Sequence, residues 1–198
     1  MIESKLDKIS VFNKELTYIK NERFLDNIKT IINMLPDYFF EIPASSTGKY
    51  HPTFALGSGG LVRHTKAAVT VAYNLLNNKS INNFSKDEKD LIIIALLLHD
   101  SFKSGFPQEK YSRADHPLLV VNFLRDNREK LNFEDGEFKY LCDSIASHMG
   151  EYNKDYKGNV ILPLPKTKEQ RFIHMCDDLA SKKFLDIKFD ENNNVIAE

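Results

Sequence analysis

Five islands of reactive chemistry are spread along this chain: His64, the pair His99-Asp100, His116, His148 and Asp177. Imidazoles mixed with carboxylates are the ligand chemistry of Mn, Fe or Zn rather than of Ca. Several histidines and two carboxylates can hold one such ion or two, and a metal pair acts on phosphate esters. The residue types therefore speak to the class of reaction and say much less about the substrate.

Side chains so far apart in sequence converge only if rigid elements carry them, and the intervening stretches read as helix. Gly and Pro are sparse, no repeat is visible, and the hydrophobic period is helical over long runs, so the chain is expected to be all-α. A first helical region spans about Phe12 to Leu35, with Phe24, Ile28, Ile31, Ile32 and Leu35 at spacings of three and four and Pro36 beyond them. Residues 43–60 form a long loop rich in Ser, Gly and basic or aromatic residues, a length that is more often functional than idle. A helix starts near Leu61, with Leu61, His64, Ala68, Ala72 and Leu75 on one face. Ser85 and Glu88 make a capping box for the next helix, apolar all round from Leu91 to Leu98 and therefore central, which ends in His99-Asp100. Pro117 suits a first helical position, with His116 beside the cap. Asp135 can cap a further helix carrying Phe138, Leu141, Ile145 and His148 as far as Gly150. Residues 151–166 read as a loop or small hairpin. Thr167 and Gln170 cap a last helix running to about Leu185, and Asn192 to Asn194 suggest the turn of a short terminal hairpin.

A single histidine on an apolar helix face is ordinarily a satisfied core residue, and His64 or His148 alone would be read that way. The set changes the reading. Burying Asp100 at the end of an apolar run is costly unless it is paired or coordinates a cation. In the last helix Asp177 borders the side defined by Ile173, Cys176 and Phe184, whereas Asp178 points away with His174 and Ser181. Asp177 is thus the ligand candidate, Asp178 a solvated charge and His174 a surface residue. Lys103, one turn after His99, could reach an anionic substrate or simply interact with the helix C-terminus. His51, with Lys49 and Tyr50 in the long loop, could line a phosphate-bearing pocket.

Composition sets the frame. The 198 residues are 42% hydrophobic and 28% charged, enough for one buried core. A formal net charge of -1 gives no global attraction to nucleic acid or acidic membranes, although 27 Lys and Arg leave room for a local basic groove. Cys142 and Cys176 fall on apolar faces as free thiols, which suits a reducing compartment. The N-terminus lacks the apolar run of a signal peptide, and the longest apolar run is far shorter than the roughly 20 residues a membrane span requires. A cytoplasmic protein with no membrane partner is expected. The apolar face of the first helical region is read as core, with a homo-oligomer contact as the alternative.

The order His, His-Asp, Asp, seen in Leu61-Val-Arg-His64-Thr, Leu98-His99-Asp100-Ser-Phe-Lys103 and His174-Met-Cys-Asp177-Asp-Leu, resembles the signature of the HD superfamily of metal-dependent phosphohydrolases. The resemblance covers residues from about 43 to 185. It implies an HD helical domain there, preceded by an N-terminal helical extension (residues 1–42) and followed by a polar tail (residues 186–198). Some members add two histidines between the His-Asp pair and the last Asp and hold two ions, and His116 and His148 occupy those positions. By that likeness His64, His99, Asp100 and Asp177 bind one divalent ion, His116 and His148 the second, and Asp100 bridges. Mn, Fe, Ni, Co and Zn are not distinguished. Pro43-Ala-Ser-Ser, His51, Gly59-Gly-Leu-Val-Arg-His64, Ser147-His148-Met-Gly150 and Asp177-Asp-Leu-Ala-Ser-Lys182 look more narrowly like the HD domain of bacterial 3′-to-5′ exoribonucleases. Those enzymes place an OB-fold ahead of the domain, where this chain has a short helical stretch, and often have a second His where this chain has Met149.

The expected activity is hydrolysis of a phosphate ester of a nucleotide or of a single-stranded nucleic-acid end. Two cations about 3.5–4 Å apart would activate a bridging water as the in-line nucleophile. Asp100 holds that centre together, and Lys103, with Lys49, Arg63 and His51, would neutralise charge on the phosphoryl oxygens. The rival reading from another class is a non-catalytic module of the same fold that senses a metal or nucleotide. A di-iron oxygenase is a third reading, and Lys103 and the phosphate-friendly loop count against it.

Overall fold

The computed structural model describes residues 7–45, 47–48 and 51–183. Seven α-helices and no sheet occur among them: α1 (Asn13–Leu16), α2 (Glu22–Met34), α3 (Gly60–Asn77), α4 (Lys86–Leu98), α5 (His116–Asp126), α6 (Asp135–Ala146) and α7 (Lys168–Ala180). The chain is all-α, as its periodicity requires. Terminal residues 184–198, where the short hairpin is expected, lie outside the described residues, as does Lys49.

Helix α4 is the axle of the fold. Every residue from Asp90 to Leu98 is buried, so no face is left for solvent, and α3, α6 and α7 pack around it. Burying side chains such as Ile92, Ile94 and Leu96 stabilises the fold by roughly 1.5–3 kcal/mol each. The Ser85–Glu88 capping box starts α4 and the Thr167–Gln170 box starts α7, each in the reciprocal form that the sequence indicates. On α3, Leu61, His64, Ala68 and Ala72 share the inner face, and Leu76 rather than Leu75 completes it.

Four expectations need correction. The first helical region is not continuous. It breaks between α1 and α2, where the backbone N–H groups of Lys20 and Asn21 donate to Asp90 Oδ2 at 2.8 and 2.7 Å and Asn21 caps α2. Helix α6 is capped by Glu134, paired reciprocally with Glu137, one residue before the expected Asp135. It ends at Ala146, so His148 sits in the following turn rather than on the helix. Helix α7 stops at Ala180, where the Ser181 N–H bonds back to the carbonyls of Asp177 and Asp178.

The 43–60 loop is more ordered than its composition suggests. It holds a short 3₁₀ turn, Thr53–Ala55, and is tied to the start of α3 through Gly59 N–H to Glu41 O (2.9 Å) and Leu61 N–H to Ile42 O (2.9 Å). Gly60 is required there, because a Cβ would lie 2.2 Å from the Ala55 carbonyl oxygen. Residues 151–166 form a loop with one antiparallel bridge, Lys154 to Val160.

Candidate metal centre

The fold delivers the reactive side chains from the ends of its helices. His64 comes from the second turn of α3, His99 and Asp100 from the turn that ends α4, His116 from the first residue of α5, His148 from the turn after α6, and Asp177 from α7. All six converge. His64, His99, Asp100, His116 and His148 are each no more than 2% exposed, and the Asp177 side chain is 16% exposed.

Asp100 is the hub. Its Oδ1 lies 2.9 Å from His116 Nε2 and 3.7 Å from His148 Nε2, and those two imidazole nitrogens are 3.3 Å apart. Its Oδ2 lies 3.5 Å from His99 Nε2 and 3.7 Å from His64 Nε2. Asp177 Oδ1 closes that second lobe at 2.9 Å from His64 Nε2 and 3.3 Å from His99 Nε2. One carboxylate thus faces a pair of imidazoles with each oxygen.

Three of the rings are locked by the same device. His99, His116 and His148 each donate Nδ1–H to the backbone carbonyl three residues earlier, Leu96 (2.7 Å), Arg113 (2.7 Å) and Ile145 (2.8 Å). That bond fixes the ring and leaves Nε2 to point into the cluster, the orientation in which histidine binds metal. His99 Nε2 is buried without a hydrogen-bond partner of its own, although two carboxylates stand near it. Orphaned imidazole nitrogen, two histidine nitrogens face to face, and two buried carboxylates fit a divalent ion better than they fit a self-satisfied polar core. His64, His99 and Asp177, and likewise His99, Asp100 and His148, keep their donor atoms within 4.8 Å of one another.

Electrostatics agree with that arrangement. Burial would raise Asp100, but the Lys103 ammonium, His99 and the hydrogen bonds of His116 and His148 hold it well below the ordinary carboxylate value. Asp177 is likewise opposed by burial and held low by His99 and His64. His99 is disfavoured as a cation by burial, yet its two carboxylate neighbours raise it to about 9. Burial, with His99 and His116 nearby, lowers His148.

The outer candidates divide. Lys103 Nζ lies 2.5 Å from Asp100 Oδ2, so it is a partner of the hub itself, and the choice between substrate contact and helix-end lysine omits this third role. His51 is half-buried, edge-on to His64 with ring centroids 4.9 Å apart, and burial followed by the charge of Lys103 lowers it to about 4. Arg63 is exposed and gives its guanidinium to the carbonyls of Phe54 and Leu56, bracing the loop. Asp178 pairs with Lys182 at 2.8 Å, away from the cluster.

His174 is the residue that sequence reading misplaced. It is not a plain surface side chain: its Nδ1–H donates to the His148 carbonyl at 2.7 Å. The ring also packs over Gly150, where φ is +56° and a Cβ would stand 2.2 Å from His174 Cε1. The turn that presents His148 is therefore clamped from α7. The positive-φ glycine two residues after His148 is the one signal in the sequence that points to a tight turn there.

Comparison with known proteins agrees with this geometry. The family model of the HD domain matches residues 61–182, from the first turn of α3 to just past the end of α7. No curated protein and no solved structure matches the chain.

Proposed function

The chain belongs to the HD domain family, and from that premise we propose that it is a metal-dependent phosphohydrolase acting on a phosphate ester of a nucleotide or of a nucleic-acid end. The family is one of metal-dependent hydrolases, and the buried His/Asp cluster suits that chemistry. The observation that carries the reading is Asp100, which turns one oxygen to the His64/His99 pair and the other to the His116/His148 pair. His64, His99, Asp100 and Asp177 would hold one divalent ion, and Asp100, His116 and His148 a second.

Bound ions supply Lewis acidity and a water of lowered pKa. The chain's own residues do the rest. The carbonyls of Leu96, Arg113 and Ile145 keep three imidazoles in register. Lys103, at the edge of the cluster and 13% exposed, supplies positive charge where a phosphoryl group would approach. His51, neutral at ordinary pH, stands beside His64 as a hydrogen-bonding group for the ester. The narrower resemblance of its motifs to the HD domain of 3′-to-5′ exoribonucleases suggests a single-stranded 3′ end as the narrower form of this reading.

The test is elemental analysis of the protein purified without added metal, followed by a panel of nucleotides and short oligonucleotides with Mn or Fe. Stoichiometric metal with release of phosphate or mononucleotide is expected. Metal bound with no turnover on any member of the panel would favour the sensing module instead.

A further inference from the structure

The segment that leads into His116 lines a cleft of about 980 Å³. Its wall includes the backbone that positions His116: the Arg113 carbonyl accepts the His116 Nδ1–H, and Asp115 immediately precedes His116 in the chain. Thr47, from the loop that carries His51, closes another side. The cleft is of the size that small-molecule sites have.

Two tyrosines stand at its rim and face solvent. Tyr111 is 60% exposed and Tyr156 87% exposed, unusual for rings of this size. They come from separate loops and are brought together, since the Tyr156 hydroxyl donates to the carbonyl of Ser112, the residue after Tyr111, at 2.8 Å. The floor adds the apolar side chains of Leu118 and Ile161. The charged residues of the lining are three carboxylates, Glu109, Asp115 and Asp155, against one guanidinium, Arg113. Arg113 is already taken by Asp115 (2.8 Å) and Glu109 (2.5 Å). Such a cleft repels phosphate. Asp155 is likewise engaged, by the Lys157 and Asn159 backbone N–H groups and the Asn159 amide, so what the cleft offers is its aromatic and apolar surface, which suits a flat, uncharged ring that can stack on tyrosine.

We propose that this cleft is a nucleobase subsite: the base of a nucleoside phosphate stacks on Tyr111 and Tyr156 while its phosphate lies at the metal centre. The inference deepens the hydrolase reading and rests on it for the position of the phosphate. The base itself is held by groups that take no part in the metal cluster.

Calorimetric titration of the full-length protein with adenosine, and separately with ribose, tests the subsite without any turnover. Adenosine should bind and ribose should not. Tyr111→Ala and Tyr156→Ala should each weaken adenosine binding by about 5- to 150-fold, the range of base stacking on aromatic side chains. Tyr156→Phe keeps the ring but loses the bond to Ser112, so its adenosine affinity should fall between the wild type and Tyr156→Ala. With AMP and ribose 5-phosphate as substrates, the alanine variants should raise KM for AMP alone and leave kcat in place. Absence of adenosine binding, or binding and KM indifferent to both alanine variants, overturns the subsite. Tyrosine-dependent adenosine binding in a protein that releases neither phosphate nor mononucleotide from any ester supports the subsite and overturns the hydrolase reading instead.

Discussion

Helix α4 carries a buried carboxylate near its start and another just past its end, and the two live in opposite worlds. Asp90, 3% exposed, accepts the backbone N–H groups of Lys20 and Asn21 and pins the break between α1 and α2 to the core. Asp100, 2% exposed, meets no such backbone donor in its ring of partners, which are four imidazoles and an ammonium. Burial of an acid is therefore not in itself a mark of chemistry. What separates the pair is whether the partners are fixed amides, which satisfy the carboxylate for good, or groups that can exchange a proton or a cation.

The contrast can be broken experimentally, and the largest effect is expected at the hub. Asp100→Asn keeps the shape and removes the charge shared by both lobes. Metal content and hydrolysis should each fall at least ~100-fold, beyond the range seen when only an outer partner of a ligand is lost, with the helical circular dichroism retained. An Asp100→Asn protein that loads metal like the wild type would erase the distinction. Asp90→Ala should do the reverse. Two part-buried backbone N–H groups lose their acceptor, so chemical unfolding should show a loss of about 1–3 kcal/mol, while metal per chain stays unchanged.

His174 sharpens the comparison from one step further out. It touches the backbone of His148, a proposed ligand, and not the donor atoms of the cluster, so it is a positioning residue. His174→Ala should weaken the lobe of His116 and His148 by about 10- to 100-fold in metal affinity and spare the lobe of His64, His99 and Asp177. Competition with a chelator would resolve the two affinities. Equal weakening of both lobes would mean that α7 had shifted as a whole.

Acid provides a subtler test. Burial raises Asp90, against the lowering effect of its two backbone bonds, whereas Lys103 and the imidazoles depress Asp100 despite its burial. A depressed carboxylate contributes stability that is fully present above its unfolded value, about 3.9, and is lost as pH falls through the folded value. A raised carboxylate contributes least at neutral pH and gains as pH falls through its folded value. In metal-free protein, the cost of removing Asp90 should grow on acidification and the cost of removing Asp100 should shrink, as read from unfolding curves between pH 6 and 3. Smallest of all is Asp178→Ala. Its surface pair with Lys182 contributes about 0–1 kcal/mol, and neither metal content nor activity should change.

The same pair shows what a sequence can disclose. Asp100 was legible because it ends an uninterrupted apolar run and stands beside His99, a local pattern with few innocent explanations. The capping boxes at Ser85 and Thr167 were legible for the same reason, since both partners lie within four residues. Asp90 was invisible, because its partners are some seventy positions away and are backbone amides, which carry no residue identity. His174 was misread because helical periodicity ranks a side chain by its own helix and does not know which turn lies opposite. Helix ends were placed worst: the break before Asn21 and the stop at Ala146 depend on tertiary partners of groups that periodicity treats as equivalent.

The carbonyl tethers on His99, His116 and His148 carry one more consequence. Each is closed by three residues of local chain at a helix end, so rotation of those rings is set by the short turns that hold them and not by an arriving ion. An incoming cation need organise little, and its departure should disturb little: stripping the protein with a chelator should leave the cage standing, with hydrogen exchange at the amides of α4 and α6 almost unaltered.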